Sequence, residues 1–217
     1  MSVFNTLTDA ELNHISGLFT CQNFSKGDTL ISQKDQSKSV YFLYSGKVRA
    51  AMFSPSGKEV SYQELTHGQM FGEMSALDNQ PRATHVIALE DGEVLILSQQ
   101  NFHVLLDQYP AVAKATLLKL VELVRFLCDK LFEFSTLNVA GRVRAELLRL
   151  AKEKTAQTSG SVLLDNAPTH EELAGRLSTH REAITRELGQ LQRRGLIHKE
   201  RSKITIIDLE LLAAADD

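Results

Sequence analysis

The sequence predicts an α+β chain in which an N-terminal antiparallel β jelly roll, one long helix and a C-terminal set of short helices ending in a strand follow one another. Three observations predict it. From Phe24 to about Leu97, short apolar or alternating runs are separated by regularly spaced turn signals, the pattern of an antiparallel sandwich. From Pro110 to Thr136 no further Gly or Pro interrupts the chain, so one helix of roughly 40 Å can run through at about 1.5 Å per residue. Beyond it, two helical segments are joined by the turn Ser178-Thr179-His180.

Taken in order, Thr8 with Glu11 three residues on is a capping-box pattern before Leu12, Ile15, Leu18 and Phe19, and predicts a short first helix. Strands are predicted at Val40 to Tyr44, Val48 to Phe53, Val86 to Leu89 and Val94 to Leu97. Lys26-Gly27-Asp28, Ser45-Gly46, Ser54-Pro55-Ser56-Gly57 and Asp91-Gly92 supply the turns. Ser98 reads as the cap of a short helix and Pro110 as the first position of the long one.

On the long helix, Ala113, Leu117, Leu120, Val124, Leu127, Leu131 and Phe134 follow at spacings of 4, 3, 4, 3, 4 and 3, a coiled-coil seam. Such a stripe either packs on the β-domain or meets a second copy. Leu118, Val121, Cys128 and Phe132 form a second apolar face that could serve the β-domain, which leaves the seam for a homodimer. Asn138 to Gly141 breaks the pattern before a helix from Arg142 to about Lys154. Residues 155–168, with Ser159-Gly160 and Val162-Leu163-Leu164, read as a hairpin, and Ile204 to Ile207 as a final strand. The expected divisions are 1–109, 110–137 and 138–217.

Composition narrows the class. No basic leader precedes an apolar run near the start, and no stretch of about 18 apolar residues occurs, so a cytoplasmic chain without membrane partners is expected. Cys21 and Cys128 offer neither a disulfide framework nor metal-type spacing, and both are expected to be buried thiols; no metal is expected. The net charge of −3 hides an asymmetry: 11 basic against 15 acidic residues through position 138, then 13 against 12. Thr179 to Arg194 alone carries Arg181, Arg186, Arg193 and Arg194 against Glu182 and Glu187, a modest footprint for phosphate contact. No nucleophile–base pair, H-E-x-x-H, P-loop or Gly-rich dinucleotide loop is present, so an enzyme is not expected.

The densest local signal is Phe71-Gly72-Glu73-Met74-Ser75-Ala76-Leu77, followed by Pro81-Arg82-Ala83-Thr84. A cyclic nucleotide needs a cation for its phosphate, an acceptor for the ribose 2′-hydroxyl and close backbone amides. Arg82, Glu73 and Gly72 are the residue types that supply them. The same pair could instead close a salt bridge across a loop. The segment FGEMSALDNQPRAT resembles the phosphate-binding cassette of cyclic-nucleotide-binding domains over its whole length. That resemblance implies that Glu73 holds the ribose hydroxyl and Arg82, facing the ligand rather than the core, the phosphate. The Gly72 and Ala83 amides and the Thr84 hydroxyl would complete a cradle that includes Met74 and Ser75. In the family the base is met by a Thr-Ser pair on the long helix, where this chain has Leu127 and Cys128. Cyclic AMP is the effector implied, with cyclic GMP, a cyclic dinucleotide or an empty site as the alternative. Oxygen-sensing relatives ligate iron–sulfur with several N-terminal cysteines, which this chain lacks. Haem sensors need axial ligands, for which only His67 or His85 could be nominated.

Toward the C-terminus, Thr169 and Glu172 form a second capping-box pattern, and Leu173, Ala174, Leu177, Ile184 and Leu188 can make the small core of two crossed helices. Opposite lie Arg181, Glu182, Thr185 and Arg186 near the start of the second helix. There Arg can bond guanine and Glu can accept from cytosine in a major groove, although a merely solvated charged face has the same pattern. The string LSTHREAITRELGQLQRRGLI resembles the recognition segment of the catabolite activator (CRP/FNR) family. Thr169 and His170 resemble the family's phosphate-contacting pair, and Thr179 and His180 complete the candidate DNA-binding set. The resemblance spans nearly the whole chain in order and implies a jelly roll of the cyclic-nucleotide-binding type, a long dimerisation helix and a winged helix-turn-helix. The function it implies is a homodimeric transcription regulator, gated by nucleotide, that binds a pseudo-palindrome with half-sites roughly 34–36 Å apart, with RNA polymerase as a partner.

Overall fold

In the computed structural model, which describes residues 2–57, 59–155 and 159–215, a 3-10 turn at Ser2–Phe4 leads into α1 (Asp9–Ser16). The Thr8 capping box forms as predicted: the hydroxyl accepts from the Glu11 amide and the Glu11 carboxylate from the Thr8 amide. The chain falls into two compact units, Met1–Arg125 and Phe126–Asp217.

The first unit holds β1 (Phe19–Phe24), β2 (Thr29–Ile31), β3 (Val40–Ser45), β4 (Val48–Phe53), β5 (Glu59–Leu65), β6 (Met70–Phe71), α2 (Glu73–Asp78), β7 (His85–Ala88), β8 (Gly92–Leu97) and α3 (Gln99–Gln108). Two antiparallel sheets result, ordered β1-β8-β3-β6 and β2-β7-β4-β5. Leu43, Val48, Phe71, Val86 and Val94 bury themselves between the sheets. Phe42, Leu97, Phe102, Leu105 and Val112 close a second core under the helices. Fully burying a side chain of this size contributes roughly 1.5–3 kcal/mol. Strands β1, β2, β5 and β6 were not predicted, and Phe19 belongs to β1 rather than to the first helix. Cys21 on β1 and Cys128 are exposed, against the expectation of buried thiols. β1 is an edge strand with most of its residues open to solvent, and there the Cys21 thiol donates to the Glu93 carboxylate.

The long helix α4 runs Pro110–Thr136 as predicted. One stripe of buried or half-buried positions, Val112, Thr116, Lys119, Leu123, Phe126, Lys130 and Glu133, has the spacings of the predicted seam but lies one residue before it. The seam residues Leu117, Val124, Leu127, Leu131 and Phe134 are exposed, and Ala113 and Leu120 are half-buried. Leu118, Val121, Cys128 and Phe132, expected to serve the intramolecular contact, are exposed too. The inward stripe contains Thr, Lys and Glu, so hydrophobic periodicity passed over it.

The second unit holds α5 (Val139–Lys154), β9 (Val162–Leu164), α6 (His170–Arg176), α7 (Arg181–Arg193), β10 (Ile197–Glu200), β11 (Lys203–Ile206) and α8 (Leu209–Ala214). The expected break is present but shorter than predicted, covering Leu137 and Asn138: the Asn138 side chain accepts from the Gly141 amide at 2.9 Å, and α5 begins three residues earlier than predicted. Among the described residues, Val162–Leu164 of the expected hairpin is not paired within its own segment. β9 pairs with β11 in a sheet ordered β10-β11-β9, and residues 156–158 of the expected hairpin lie outside the described residues. Leu173, Ala174, Leu177, Ile184 and Leu188 are buried in one core, as predicted. Gly195 takes φ 70° just past α7, and the Leu196 amide reaches back to the Leu191 carbonyl, which caps the helix and turns it into β10.

Candidate functional site

β6 delivers the chain to Gly72, which turns it with φ 79° into α2. Only glycine fits: a Cβ there would lie 2.8 Å from Nη1 of Arg82 and 3.1 Å from the Ser39 carbonyl. The close neighbour at Gly72 is therefore the Arg82 guanidinium itself. Arg82 is 3% exposed. Its Nε donates to Ser37 Oγ at 3.0 Å, Nη1 to the Gly72 carbonyl at 2.8 Å and Nη2 to the Ser39 carbonyl at 2.8 Å. The ring of Tyr41, stacked on Phe71, lies 5.8 Å away. Burial pulls its pKa below the usual guanidinium value, against Tyr41, Asp35 and Glu73, which favour the charge. The expectation that this side chain faces away from the core is thus corrected: it ties the cassette to residues 37–39. Of five N–H donors, one on each terminal nitrogen is left for an anion.

Glu73 is 5% exposed, and its carboxylate takes part in no hydrogen bond or salt bridge among the described residues. The alternative salt bridge to Arg82 is not formed, although the two are within electrostatic range. A second cation, Lys119 of α4, also feels Glu73; burial lowers its pKa while Glu73 and Glu122 push it back up. Lys119 was not predicted; its only signal in the sequence is its place three residues after Thr116 and seven after Val112. Around them, Ser75 is buried, Thr84 half-buried, and Met74 and Ala83 exposed. α2 is held from outside. Gln99 donates to the Ala76 carbonyl at 2.9 Å, the His103 ring meets the same oxygen at 2.9 Å, and Lys38 donates to the carbonyls of Asn79 and Gln80. These partners satisfy carbonyls that a helix end leaves open. Leu127 and Cys128 are exposed on the part of α4 that belongs to the second unit. His67 and His85 are each bonded to protein backbone, at the Tyr44 carbonyl and the Gln33 amide.

In the second unit, α6 and α7 are joined through Ser178, which takes φ 50°. Arg181, Glu182, Thr185 and Arg186 are exposed on α7, opposite the buried Ile184, Glu187, Leu188 and Leu191, and His180 is exposed at its start. Arg186 donates through Nε to Glu187 at 2.9 Å. Thr179 is half-buried, its amide bonded to the Ala174 carbonyl. Thr169 caps α6 in the predicted capping box. His170 is half-buried between a Lys199 ammonium on Nε2 and the Thr185 hydroxyl, 2.6 Å from Nδ1. Desolvation, then Lys199 and Arg181, push its pKa below the ordinary histidine value. An open groove of about 580 Å³ lies here, lined by Thr169, His170, Arg181, Lys199 and Arg201 among others. Lys199 and Arg201 were also missed; the basic run His198-Lys199-Glu200-Arg201 between Ile197 and Ile204 was the signal available.

Residues 21–109 match the family model described as the cyclic nucleotide-binding domain, and residues 141–215 the Crp-like helix-turn-helix domain. Among similar proteins, a CRP-like cAMP-activated global transcriptional regulator of Mycobacterium tuberculosis is 26% identical over 191 residues, 88% of this chain and 85% of its own. A cyclic AMP receptor protein of Thermus thermophilus is 28% identical over 210 residues, 97% and 94% of the two chains. The solved structure of a c-di-GMP responsive global regulator of Xanthomonas campestris superposes with a TM-score of 0.78 over 92% of this chain and 99% of its own; at 18% identity that is a likeness of fold.

Proposed function

We propose, from the premise that the chain belongs to the catabolite activator (CRP/FNR) family of DNA-binding transcription regulators, that a cyclic nucleotide in the 71–84 cassette controls it and that it acts as a homodimer. The observation that carries the reading is the buried, unpartnered Glu73 carboxylate. Its oxygens have no partner in the protein but are not sealed from solvent, so a ribose hydroxyl that donates there supplies a hydrogen bond that the fold does not. Arg82 would offer its two remaining N–H groups to the cyclic phosphate, with the Gly72 and Ala83 amides and the Thr84 hydroxyl beside it. Lys119 would add a second positive charge. No step of covalent chemistry is needed, and the reading is not that of an enzyme.

Cyclic AMP is the first candidate, since the two relatives are named for it. One observation favours a different effector: Leu127, which stands where the family meets the base, has no hydrogen-bonding group for adenine's amine. Cyclic GMP or a cyclic dinucleotide is the alternative.

The homodimer rests on α4. Leu117, Val124, Leu127 and Leu131 are between 40 and 68% exposed at coiled-coil spacing, more apolar surface than a helix leaves to water without a partner. On DNA, the exposed face of α7 would enter the major groove, with Arg181, Glu182, Thr185 and Arg186 toward bases and Thr169, Thr179 and His180 toward the backbone; His170, whose two ring nitrogens are held by Lys199 and Thr185, would act through those partners. RNA polymerase at a promoter, in the cytoplasm, completes the proposal. It is tested by titrating the purified protein with cyclic AMP, cyclic GMP and cyclic di-GMP in a calorimeter and repeating a gel shift at saturation. A heat of binding with at least a tenfold rise in DNA affinity for one of them is expected. DNA affinity unchanged by all three would sink nucleotide control.

A further inference from the structure

Thr185 is exposed on α7 beside Arg181, Glu182 and Arg186. The hydroxyl is already engaged. It donates to the Arg181 carbonyl one turn earlier at 3.0 Å, and His170 Nδ1 lies 2.6 Å from the same oxygen. A hydroxyl has one proton and two lone pairs. The Lys199 ammonium occupies Nε2 of His170 from β10. An ammonium has only protons to give, so Nε2 accepts and the ring's proton sits on Nδ1, where it is donated to Thr185. The low pKa of His170, between Lys199 and Arg181, agrees with a neutral ring. Three elements, α6, α7 and β10, thus converge on one hydroxyl and turn it into the domain. What the exposed Thr185 has left is one lone pair and its methyl group.

We infer that Thr185 reads a thymine, through contact of its γ-methyl with the base's 5-methyl in the major groove, and that His170, backed by Lys199, is the positioning residue that makes it do so. The inference rests on the DNA-binding reading above. With its proton held by Arg181, the hydroxyl cannot donate to guanine O6 or N7 or to thymine O4, whereas methyl on methyl is the contact that distinguishes thymine from the other bases. A serine here would make the same two hydrogen bonds and lose the preference.

The experiment starts from duplexes enriched from a randomised pool by the wild-type full chain. Each thymine of the enriched half-site is then replaced, one at a time, by deoxyuridine, which removes only the methyl. One position per half-site is expected to lose affinity by about fourfold, the value of one buried methyl-sized group. Thr185→Val keeps that loss and Thr185→Ser abolishes it. His170→Ala removes the partner that fixes the hydroxyl and frees its second lone pair, so adenine or cytosine at that position becomes better tolerated. Specific binding that is indifferent to every uracil replacement overturns the methyl reading, as does a wild-type preference for adenine or cytosine there. A His170→Ala variant with unchanged base preference overturns the positioning role. A pool that enriches no sequence at all fails the DNA-binding reading itself, which is a separate result.

Discussion

Two carboxylates in this chain are buried almost equally and live in opposite surroundings. Glu146, 3% exposed in the second unit, accepts from Lys130 Nζ at 2.9 Å and from Arg149 on one oxygen, and from Arg176 at 3.0 Å on the other. Glu73, 5% exposed in the first unit, has Arg82 and Lys119 in electrostatic range and bonds neither. Buried charge is tolerated when it is paired and hydrogen-bonded. The first carboxylate meets that condition within the protein and is structural. The second finds no hydrogen-bond partner in the protein, on a helix whose later carbonyls are held by Gln99, His103 and Lys38, and its oxygens stay open to water or to a ligand.

The comparison breaks first, and hardest, at Glu146. Glu146→Ala strands Lys130, Arg149 and Arg176 around a gap, and the loss of one member of a buried ionic cluster costs about 3–5 kcal/mol. Urea denaturation followed by a probe in the second unit should report it; a midpoint within error of wild type would mean the cluster is not stabilising. Burial by itself would raise the pKa of Glu146, but Lys130, Arg149 and Arg176 bring it below the ordinary value. A carboxyl group whose folded pKa is depressed contributes in full above its unfolded pKa, and the contribution fades as pH falls through the folded one. The second unit of the wild type should therefore weaken on acidification through the carboxylate range, and the Glu146→Ala variant should show a flatter profile.

Arg82→Leu comes next. The cation was expected from sequence to face ligand alone, so that its removal would spare the fold. Its three hydrogen bonds inward change that. Losing them orphans the carbonyls of Gly72 and Ser39, for about 2–4 kcal/mol in the first unit, together with loss of nucleotide binding. Binding lost at an unchanged urea midpoint would return Arg82 to a pure ligand contact.

The same contrast explains what could be read from sequence. The four predicted strands, β3, β4, β7 and β8, are the four interior strands of the two sheets, and the four missed ones, β1, β2, β5 and β6, are the edges. Interior strands carry dense apolar runs such as Val40 to Leu43; an edge such as Phe19–Phe24 turns most of its side chains to water and reads as loop. On α4 the exposed apolar seam was visible, while the inward stripe, with Thr116, Lys119, Lys130 and Glu133, was not, because hydropathy reports neither buried ion pairs nor capped hydroxyls. At the cassette, sequence named Gly72, Glu73 and Arg82 from their chemistry. It could not say which of the two charges the protein keeps for itself, since that depends on where Ser37 and Ser39, more than forty residues upstream of Arg82, fold back.

The smallest effect on stability is the sharpest test. Glu73→Gln keeps the shape of the side chain and removes a buried charge with no hydrogen-bond partner, so the first unit should unfold at the wild-type midpoint or gain up to about 1 kcal/mol. The same change should weaken nucleotide binding by tenfold or more, since a hydrogen bond to a charged acceptor contributes about 1.5–3 kcal/mol. Stability and binding then move in opposite directions at one residue, which a structural carboxylate such as Glu146 does not allow. If Glu73→Gln instead costs the first unit stability and leaves calorimetric binding intact, the carboxylate has a partner inside the fold. The difference between the two glutamates would then be one of strength only.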